Sequence, residues 1–398
     1  MAIRTCVSLV LRCSAMNANS VDSNTCRTHR PQHRDFGRLV TLCFIWNGLF
    51  WCWLSASGSI LAQDTPPDPG HWLRLKQTRS VSLRGVSVVN RDVVWASGAE
   101  GTVLRSVDGG QIITAIPVPG AETSDFRDVH AFDADHASLM TAGQPARMVS
   151  TEDGGKNWSI AYECADKRSF FNAMAFWERK RGIAFSDPID GKLLIITTRD
   201  GGKSWQPLDR AKRPVTARDE HGYAASGTCL AVGRRGRVWI GLGGPGTDNA
   251  MARVFASGDF GQTWSVSTSN LVGTESAGIF SIFFTDEKHG IVVGGDYKSP
   301  EGTRDVVSLT HDGGKNWSKP KNHGLRGYRS CVARAATPDG DVLIACGPSG
   351  CDWSRDAGHH WHPLGNDGFH AIEFSADGTA GYAVGADGRL ARWVWRDQ

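Results

Sequence analysis

Aspartates recur along this 398-residue chain at spacings that could serve chemistry or structure. Each stands in a short box, Ser/Thr-x-Asp-x-Gly, usually completed by x-x-Trp. A calcium loop would need further oxygen ligands and a closing Glu, which the boxes lack. The carboxylate can instead accept N–H groups of a turn whose last Gly has a positive φ. The boxes contain Asp108, Asp153, Asp200, Asp259, Asp312 and Asp356, and five of them carry Trp158, Trp205, Trp264, Trp317 and Trp361.

The box spacing indicates the elements that must position everything else. Successive aspartates are 45, 47, 59, 53 and 44 residues apart, and a step of about 40–50 residues is typical of one four-stranded propeller blade. Seven apolar second strands can be counted. The last unit lacks its fourth strand, which the N-terminal run at 71–75 can supply. The sequence therefore predicts an all-β, seven-bladed β-propeller over 71–398, closed by an N-terminal strand that removes the exposed sheet edges.

The recurrent Ser/Thr-x-Asp-x-Gly-x-x-Trp run resembles the Asp-box, or BNR repeat, of sialidase-like propellers. From about residue 71 onward, the chain is similar to the photosystem II stability/assembly factor family and its non-photosynthetic bacterial relatives. The resemblance implies boxes on the outer rim and a role in binding or assembling proteins. We expect the box tryptophans to be buried between blades. The photosynthetic role itself does not follow from the fold.

Candidate binding residues come from aligning the starts of the innermost strands. We expect them to ring the channel entrance as a cationic, hydrogen-bonding circle suited to a protein partner or an acidic glycan. The alternative is that each side chain pairs with a neighbour such as Asp128 or caps a buried carbonyl. Extended loops add candidates, because binding residues concentrate on loops of rigid scaffolds. The ring comprises Arg84, Arg127, Asn172, Ser281, Arg329 and His370, and the loops add His221, Asp296, Tyr297 and Ser349.

Catalytic readings have less support, and the preferred hypothesis is a non-enzymatic binding protein. A glycan-active hydrolase using the same mouth is the alternative, but no sialidase-type Arg-Ile-Pro motif is found. Glycoside hydrolysis needs two suitably spaced carboxylates, and Glu220, Asp296 and Asp352 cannot be paired from sequence. The Gly-rich run 241–246 formally matches a dinucleotide fingerprint, yet a strand follows where a helix is required. No cofactor or metal site is predicted.

The N-terminal 62 residues read as a separate leader. They carry six Arg, no Lys and two Asp, a local charge of +4 within a chain of net +3. An uncharged apolar stretch at 39–62 predicts either a secretory signal cleaved near Ala62 or a retained membrane anchor. A Pro-rich linker follows at 63–70. We therefore expect an exported monomer (periplasm, cell envelope or extracellular) whose only membrane contact is through this segment if it is uncleaved.

The remaining ring, at about −1, has no electrostatic footprint for nucleic acid. It contains five cysteines, an odd number, which does not indicate a disulfide scaffold. Cys346 and Cys351 flank a predicted hairpin loop. Whether they form a cross-hairpin disulfide stays open.

Overall fold

A computed structural model describes residues 66–245, 251–337 and 340–396. These residues form seven antiparallel sheets. The innermost strand of each sheet contacts the innermost strand of the next, and the last of them contacts the first. The prediction of an all-β, seven-bladed propeller is confirmed. The leader predicted at 1–62 lies outside the described residues, and within the described ranges no helix is long and apolar enough to span a bilayer.

Strands are numbered β1–β27 in chain order, and each blade is a meander of consecutive strands. The closing strand β1 is Gly70–Arg74. Blade 1 contains β2 to β5, Leu83–Val88, Val94–Gly98, Val103–Ser106 and Thr114–Ala115. Blade 2 contains β6 to β9, Asp125–Ala131, Ala137–Ala142, Arg147–Thr151 and Ser159–Glu163. Blade 3 contains β10 to β13, Phe171–Glu178, Arg181–Ile189, Lys192–Thr198 and Gln206–Pro207.

The second half of the ring repeats this order. Blade 4 contains β14 to β17, Leu230–Val232, Val238–Gly241, Met251–Ser257 and Ser265–Val272. Blade 5 contains β18 to β20, Ala277–Phe284, Gly290–Asp296 and Val307–Thr310. Blade 6 contains β21 to β24, Cys331–Thr337, Gly340–Gly347, Gly350–Ser354 and His362–Gly365. Blade 7 contains β25 to β27, Ala371–Phe374, Gly381–Val384 and Leu390–Trp395. Short 3-10 turns span Arg210–Lys212, Arg234–Gly236 and Ala386–Gly388.

The ring closes in blade 7, as the sequence predicted. Strand β1 pairs antiparallel with β27, with Gly70 opposite Trp395 and Trp72 opposite Trp393. The Trp72 and Trp393 rings meet edge to face, with their centroids 4.9 Å apart. Through this pairing, both ends of the ring's chain belong to the same sheet, in which β1 is the outermost strand.

The boxes form tight turns through one repeated set of hydrogen bonds. In blade 5, the Thr310 hydroxyl donates to Asp312 Oδ1 at 2.9 Å and accepts the Gly314 N–H at 3.0 Å. Asp312 Oδ1 also accepts the Asn316 N–H at 2.9 Å, which helps to hold the pKa of this carboxyl at about 2. Gly314 has φ +87°, a conformation favourable only to glycine. The other five box aspartates accept the same i+4 backbone N–H, at Ile112, Asn157, Ser204, Thr263 and His360.

The box tryptophans differ in burial, which corrects the prediction that all of them lie buried between blades. Trp205 and Trp361 are buried, whereas the remaining three are only partly so. Contact between blades comes also from second-strand residues such as Trp239. This ring stacks on Phe284 of the next blade, with the centroids 3.7 Å apart, and its indole N–H donates to the Gly313 carbonyl in the next box turn.

Candidate functional site

The channel mouth is the face at which the innermost strands begin, opposite the box turns. In blades 1, 2 and 3 the register between the first two strands shifts around a single residue: Arg84, Arg127 and Asn172 respectively. In blade 5 the shift falls around Phe280 rather than Ser281. A bulge of this kind places one extra residue in a strand and redirects its side chain. The repeat alignment made from the sequence was therefore one residue out of register in blade 5.

A cavity of about 520 Å³ opens at this mouth. Its basic side chains come from three adjacent blades, namely Arg84 in blade 1, Arg127 in blade 2 and His370 at the start of blade 7. Aromatic residues line the rest, with His221 and the acidic Asp187 and Glu275. A neighbouring cavity of about 760 Å³ shares Asp187, His221 and Glu275 with it. The mouth thus combines a cationic sector with an aromatic surface.

The two mouth arginines differ in how their charges are satisfied. Arg127 Nε donates to Asp125 Oδ2 at 2.6 Å, and its Nη1 donates to the Ala224 carbonyl at 2.9 Å. The Arg84 guanidinium has no hydrogen-bond or ion-pair partner among the described residues. Burial, followed by the charge of Arg127, lowers the pKa of Arg84 from its usual value. Arginine remains cationic in proteins, so Arg84 presents a partly desolvated positive charge to the cavity.

His370 is neutral at physiological pH in this setting. Burial, reinforced by the positive charge of Arg84, lowers its pKa to about 4. Its Nδ1 lies 3.0 Å from the Leu83 carbonyl oxygen. A carbonyl only accepts hydrogen bonds, so Nδ1 carries the proton. His370 therefore contributes shape and hydrogen bonding to the mouth, while Arg84 and Arg127 supply its positive charge.

The aromatic surface is built mainly around Phe280. This ring stacks on Tyr223 with the centroids 3.9 Å apart and the planes 14° apart, and it meets Tyr328 edge to face at 4.6 Å. The Tyr223 hydroxyl donates to the Ala277 carbonyl at 2.9 Å. Tyr297 lies farther out and is 47% exposed. Three of these aromatic residues are fixed by packing and the fourth is available to a ligand.

A chain segment at 222–229 crosses the channel beneath this cavity. It starts beside blade 3, where the Gly222 N–H donates to Asp187, and its Ser226 hydroxyl donates to the Ser330 carbonyl next to blade 6. Thr228 accepts the Ile282 N–H of blade 5. At Gly227, φ is +72°, and a Cβ would lie 2.5 Å from the carboxyl of Asp128, so only glycine fits. The segment gives the mouth cavity a floor.

Several predicted mouth residues do not line this cavity. Arg329 lies before the start of β21, is fully buried, and pairs with the equally buried Asp352. Asn172 is also buried, and its amide donates to Asp187 Oδ1 at 2.8 Å. Ser349 accepts a hydrogen bond from Arg329 at 3.3 Å, and Asp296 Oδ1 accepts the Lys298 N–H at 2.9 Å. Arg329 and Asn172 thus pair with neighbouring side chains, which was the alternative to a role at the channel entrance.

The cavity therefore brings together five predicted residues, Arg84, Arg127, His221, Tyr297 and His370. It also contains Tyr223, Phe280 and Tyr328, which the sequence reasoning did not select. Tyr328 and Phe280 directly precede the predicted residues Arg329 and Ser281 in the sequence. An alignment shifted by one residue in blades 5 and 6 would therefore have identified them. Tyr223 comes from an irregular connection with no periodic signal.

Two acidic side chains near the channel, Asp187 and Asp128, accept hydrogen bonds from the protein. Asp187 lines the mouth and accepts hydrogen bonds from the Gly222 N–H and Asn172, while burial raises its pKa. Deeper in the ring, Asp128 accepts the Met174 N–H at 2.8 Å, and burial raises its pKa well above the usual range. No group of three His, Cys, Asp or Glu in the described part of the chain could hold a metal ion. The five cysteines there are free and buried, Cys346 and Cys351 included.

Comparison with known proteins adds evidence on the fold. No protein-family model and no curated protein matches the sequence. A solved structure described as YCF48 bound to D1 peptide has a TM-score of 0.58 and 18% identity, covering 83% of this chain and 99% of that chain. The structure of YCF48 from Cyanidioschyzon merolae has a TM-score of 0.55 and 17% identity, covering 81% and 98%. The likeness is one of fold. It extends over nearly the whole length of both neighbours.

Proposed function

We propose that this protein is an exported, non-enzymatic propeller of the Asp-box type that binds an acidic segment of a protein partner at its channel mouth. The observation that carries the proposal is the Arg84 guanidinium, which has no partner among the described residues and stands in a cavity with aromatic walls. A carboxylate would satisfy that charge by charge-assisted hydrogen bonds. Arg127 adds to the positive potential, and the exposed ring of Tyr297 offers apolar area.

The fold neighbour described as YCF48 bound to D1 peptide supports a protein as the partner, because it is a propeller of similar shape with a bound peptide. The floor made by residues 222–229 supports entry of the ligand from the mouth alone. A segment of a larger protein can reach into such a one-sided cavity. An assembly-factor role, in which the propeller holds a partner before it is incorporated, agrees with binding without chemistry.

The test uses fluorescein-labelled ten-residue peptides in which Tyr alternates with Glu, and a matched Tyr–Lys peptide, measured by fluorescence anisotropy. We expect the Glu peptide to bind and the Lys peptide not to, with binding weakened by salt. Arg84→Gln should weaken binding about tenfold or more, since a hydrogen bond to a charged group contributes about 1.5–3 kcal/mol. The control is Arg199→Gln, an exposed arginine beside a box turn. Equal affinities for the two variants would contradict the proposal.

The competing function is that of a hydrolase acting on acidic glycans. The environment of Asp187 is the observation that favours testing it. Burial raises the pKa of this cavity carboxyl, as a general acid requires, and Glu275 is a second carboxyl at the same mouth. We expect no release of 4-methylumbelliferone from its sialoside or glucuronide. Release that Asp187→Asn abolishes would establish an enzyme and overturn the non-enzymatic reading.

A further inference from the structure

A second cavity, of about 800 Å³, lies on the opposite side of the ring from the mouth, where blades 6, 7 and 1 meet. Four arginines border it: Arg91 from the first turn of blade 1, Arg355 from the box of blade 6, and Arg392 and Arg396 from the last strand region of blade 7. Trp393 and Trp395 form part of its wall. We call this cavity the closure groove, because it adjoins the strand that closes the ring.

The closure groove is suited to an anion with an apolar neighbour. Asp68 is the one acidic residue among the described residues that line it, and Asp92 stands 3.9 Å from Arg91 with both side chains mostly exposed. Arginines therefore outnumber carboxylates along the described lining, even when Arg91, Arg392 and Arg396 alone are counted. Guanidinium groups bind phosphate oxygens in bidentate fashion. The Trp393 indole N–H is buried and has no hydrogen-bond partner in the described ranges. Tryptophan is enriched where a bilayer meets water, and arginine is attracted to the surface of an anionic leaflet.

The described part of the chain begins at this groove. Pro67, Asp68 and Pro69 line the groove, and the 24-residue uncharged stretch ends only five residues earlier, at Ala62. Five residues span at most about 18 Å even when fully extended. In sequence, therefore, an apolar segment long enough to span a bilayer is joined to the edge of the groove by a short linker.

We propose that the closure groove binds the headgroups of anionic phospholipids, so that the propeller rests on the membrane with its mouth directed away from it. Basic residues near an anionic surface each contribute about 1 kcal/mol, which is about a fivefold change in partitioning. The proposal concerns a face other than the mouth, and it stands or falls independently of peptide binding there.

The test places the full chain in nanodiscs of phosphatidylcholine, with or without one third phosphatidylglycerol, and follows hydrogen–deuterium exchange. We expect the turns at 89–93 and 376–380, which border the groove, to exchange severalfold more slowly with phosphatidylglycerol. The turn at 233–237 on blade 4 should not change. Equal exchange in the two lipids would overturn the proposal. The same protection from 10 mM inorganic phosphate in phosphatidylcholine discs would assign the groove to a free anion and would overturn it as well.

A second measurement tests the proposal for the case in which the leader is removed on export. Residues 66–396 supply every described strand of the ring, so the chain from Gln63 onward is also tested by cosedimentation with vesicles of the same two compositions. Arg91→Gln combined with Arg396→Gln should weaken binding to the anionic vesicles about 25-fold. Arg199→Gln with Arg218→Gln removes the same charge elsewhere and should weaken it much less. If both double variants weaken vesicle binding equally, the attraction to the vesicles is non-specific, and the groove is not the binding site.

Discussion

The buried pair of Arg329 and Asp352 offers the sharpest test of the residue roles. Both side chains are fully buried, and Asp352 also accepts a 2.6 Å hydrogen bond from Arg326. In Asp352→Ala the Arg329 guanidinium would keep only the Tyr328 carbonyl at 2.9 Å and the Ser349 hydroxyl at 3.3 Å. A buried charge left without its partner costs about 3–5 kcal/mol. For a ring of roughly 330 residues this corresponds to a fall in Tm of about 4–7 °C.

The assay is urea and thermal unfolding followed by tryptophan fluorescence. Asp341→Ala is the matched control, because Asp341 pairs with Arg334 at 2.9 Å in an exposed position, and such a pair contributes at most about 1 kcal/mol. Replacing both buried partners, Arg329→Met with Asp352→Leu, should recover most of the loss, because no fully buried charge is then left without a partner. Arg326 loses the same carboxylate in both variants, but its side chain is 36% exposed. If Asp352→Ala lowers the free energy of unfolding no more than Asp341→Ala does, then Asp352 is not needed to neutralise a buried Arg329. The sequence-based assignment of Arg329 to the mouth would then be restored.

Three further outcomes are expected. Trp205→Ala should cost about 3–5 kcal/mol in urea unfolding and Trp158→Ala distinctly less, because only Trp205 is buried; equal losses would refute the difference in packing. Burial raises the pKa of Glu373 from 4.5 to about 8, so the folded state keeps a proton that the unfolded state loses. The free energy of unfolding should therefore fall between pH 4.5 and 8, by at most about 5 kcal/mol. Glu373→Gln should flatten the pH dependence of Tm, and an unchanged profile would contradict the raised pKa. Iodoacetamide should label Cys346 and Cys351 only after denaturation, as both are buried free thiols; peptide mapping that finds them labelled in the native protein would disprove this.

The fold was predictable because its signal repeats. Each box combines a hydroxyl, a carboxylate and a glycine whose bonding is local, so Asp312 and Asp108 act in the same way whatever surrounds their blades. Closure was predictable for a related reason, since blade 7 lacked a strand that the N-terminal run could provide.

The mouth was less predictable because it depends on contacts between blades. Shifting the repeat alignment of blade 5 by one residue places Phe280 rather than Ser281 at the mouth. The sequence alone does not show which of the two residues forms the β-bulge. Tyr223 reaches the mouth on a segment that crosses from blade 3 toward blade 6, a path that no local pattern encodes. The prediction placed Arg329 at the mouth because its partner Asp352, on β23, is 23 residues away in sequence.

Ring closure by β1 and β27 has a consequence for the order of events in folding. The first strand made must find the last one across more than 300 residues, and closing such a loop costs roughly 5 kcal/mol of chain entropy. Until the final strand is complete, β1 has no partner, and blade 7 has an open edge able to pair with another chain. A chain truncated before Leu390 would retain most of its blades but could not close the ring. Only the whole chain can therefore pair its own first and last strands, so closure depends on synthesis of the complete chain.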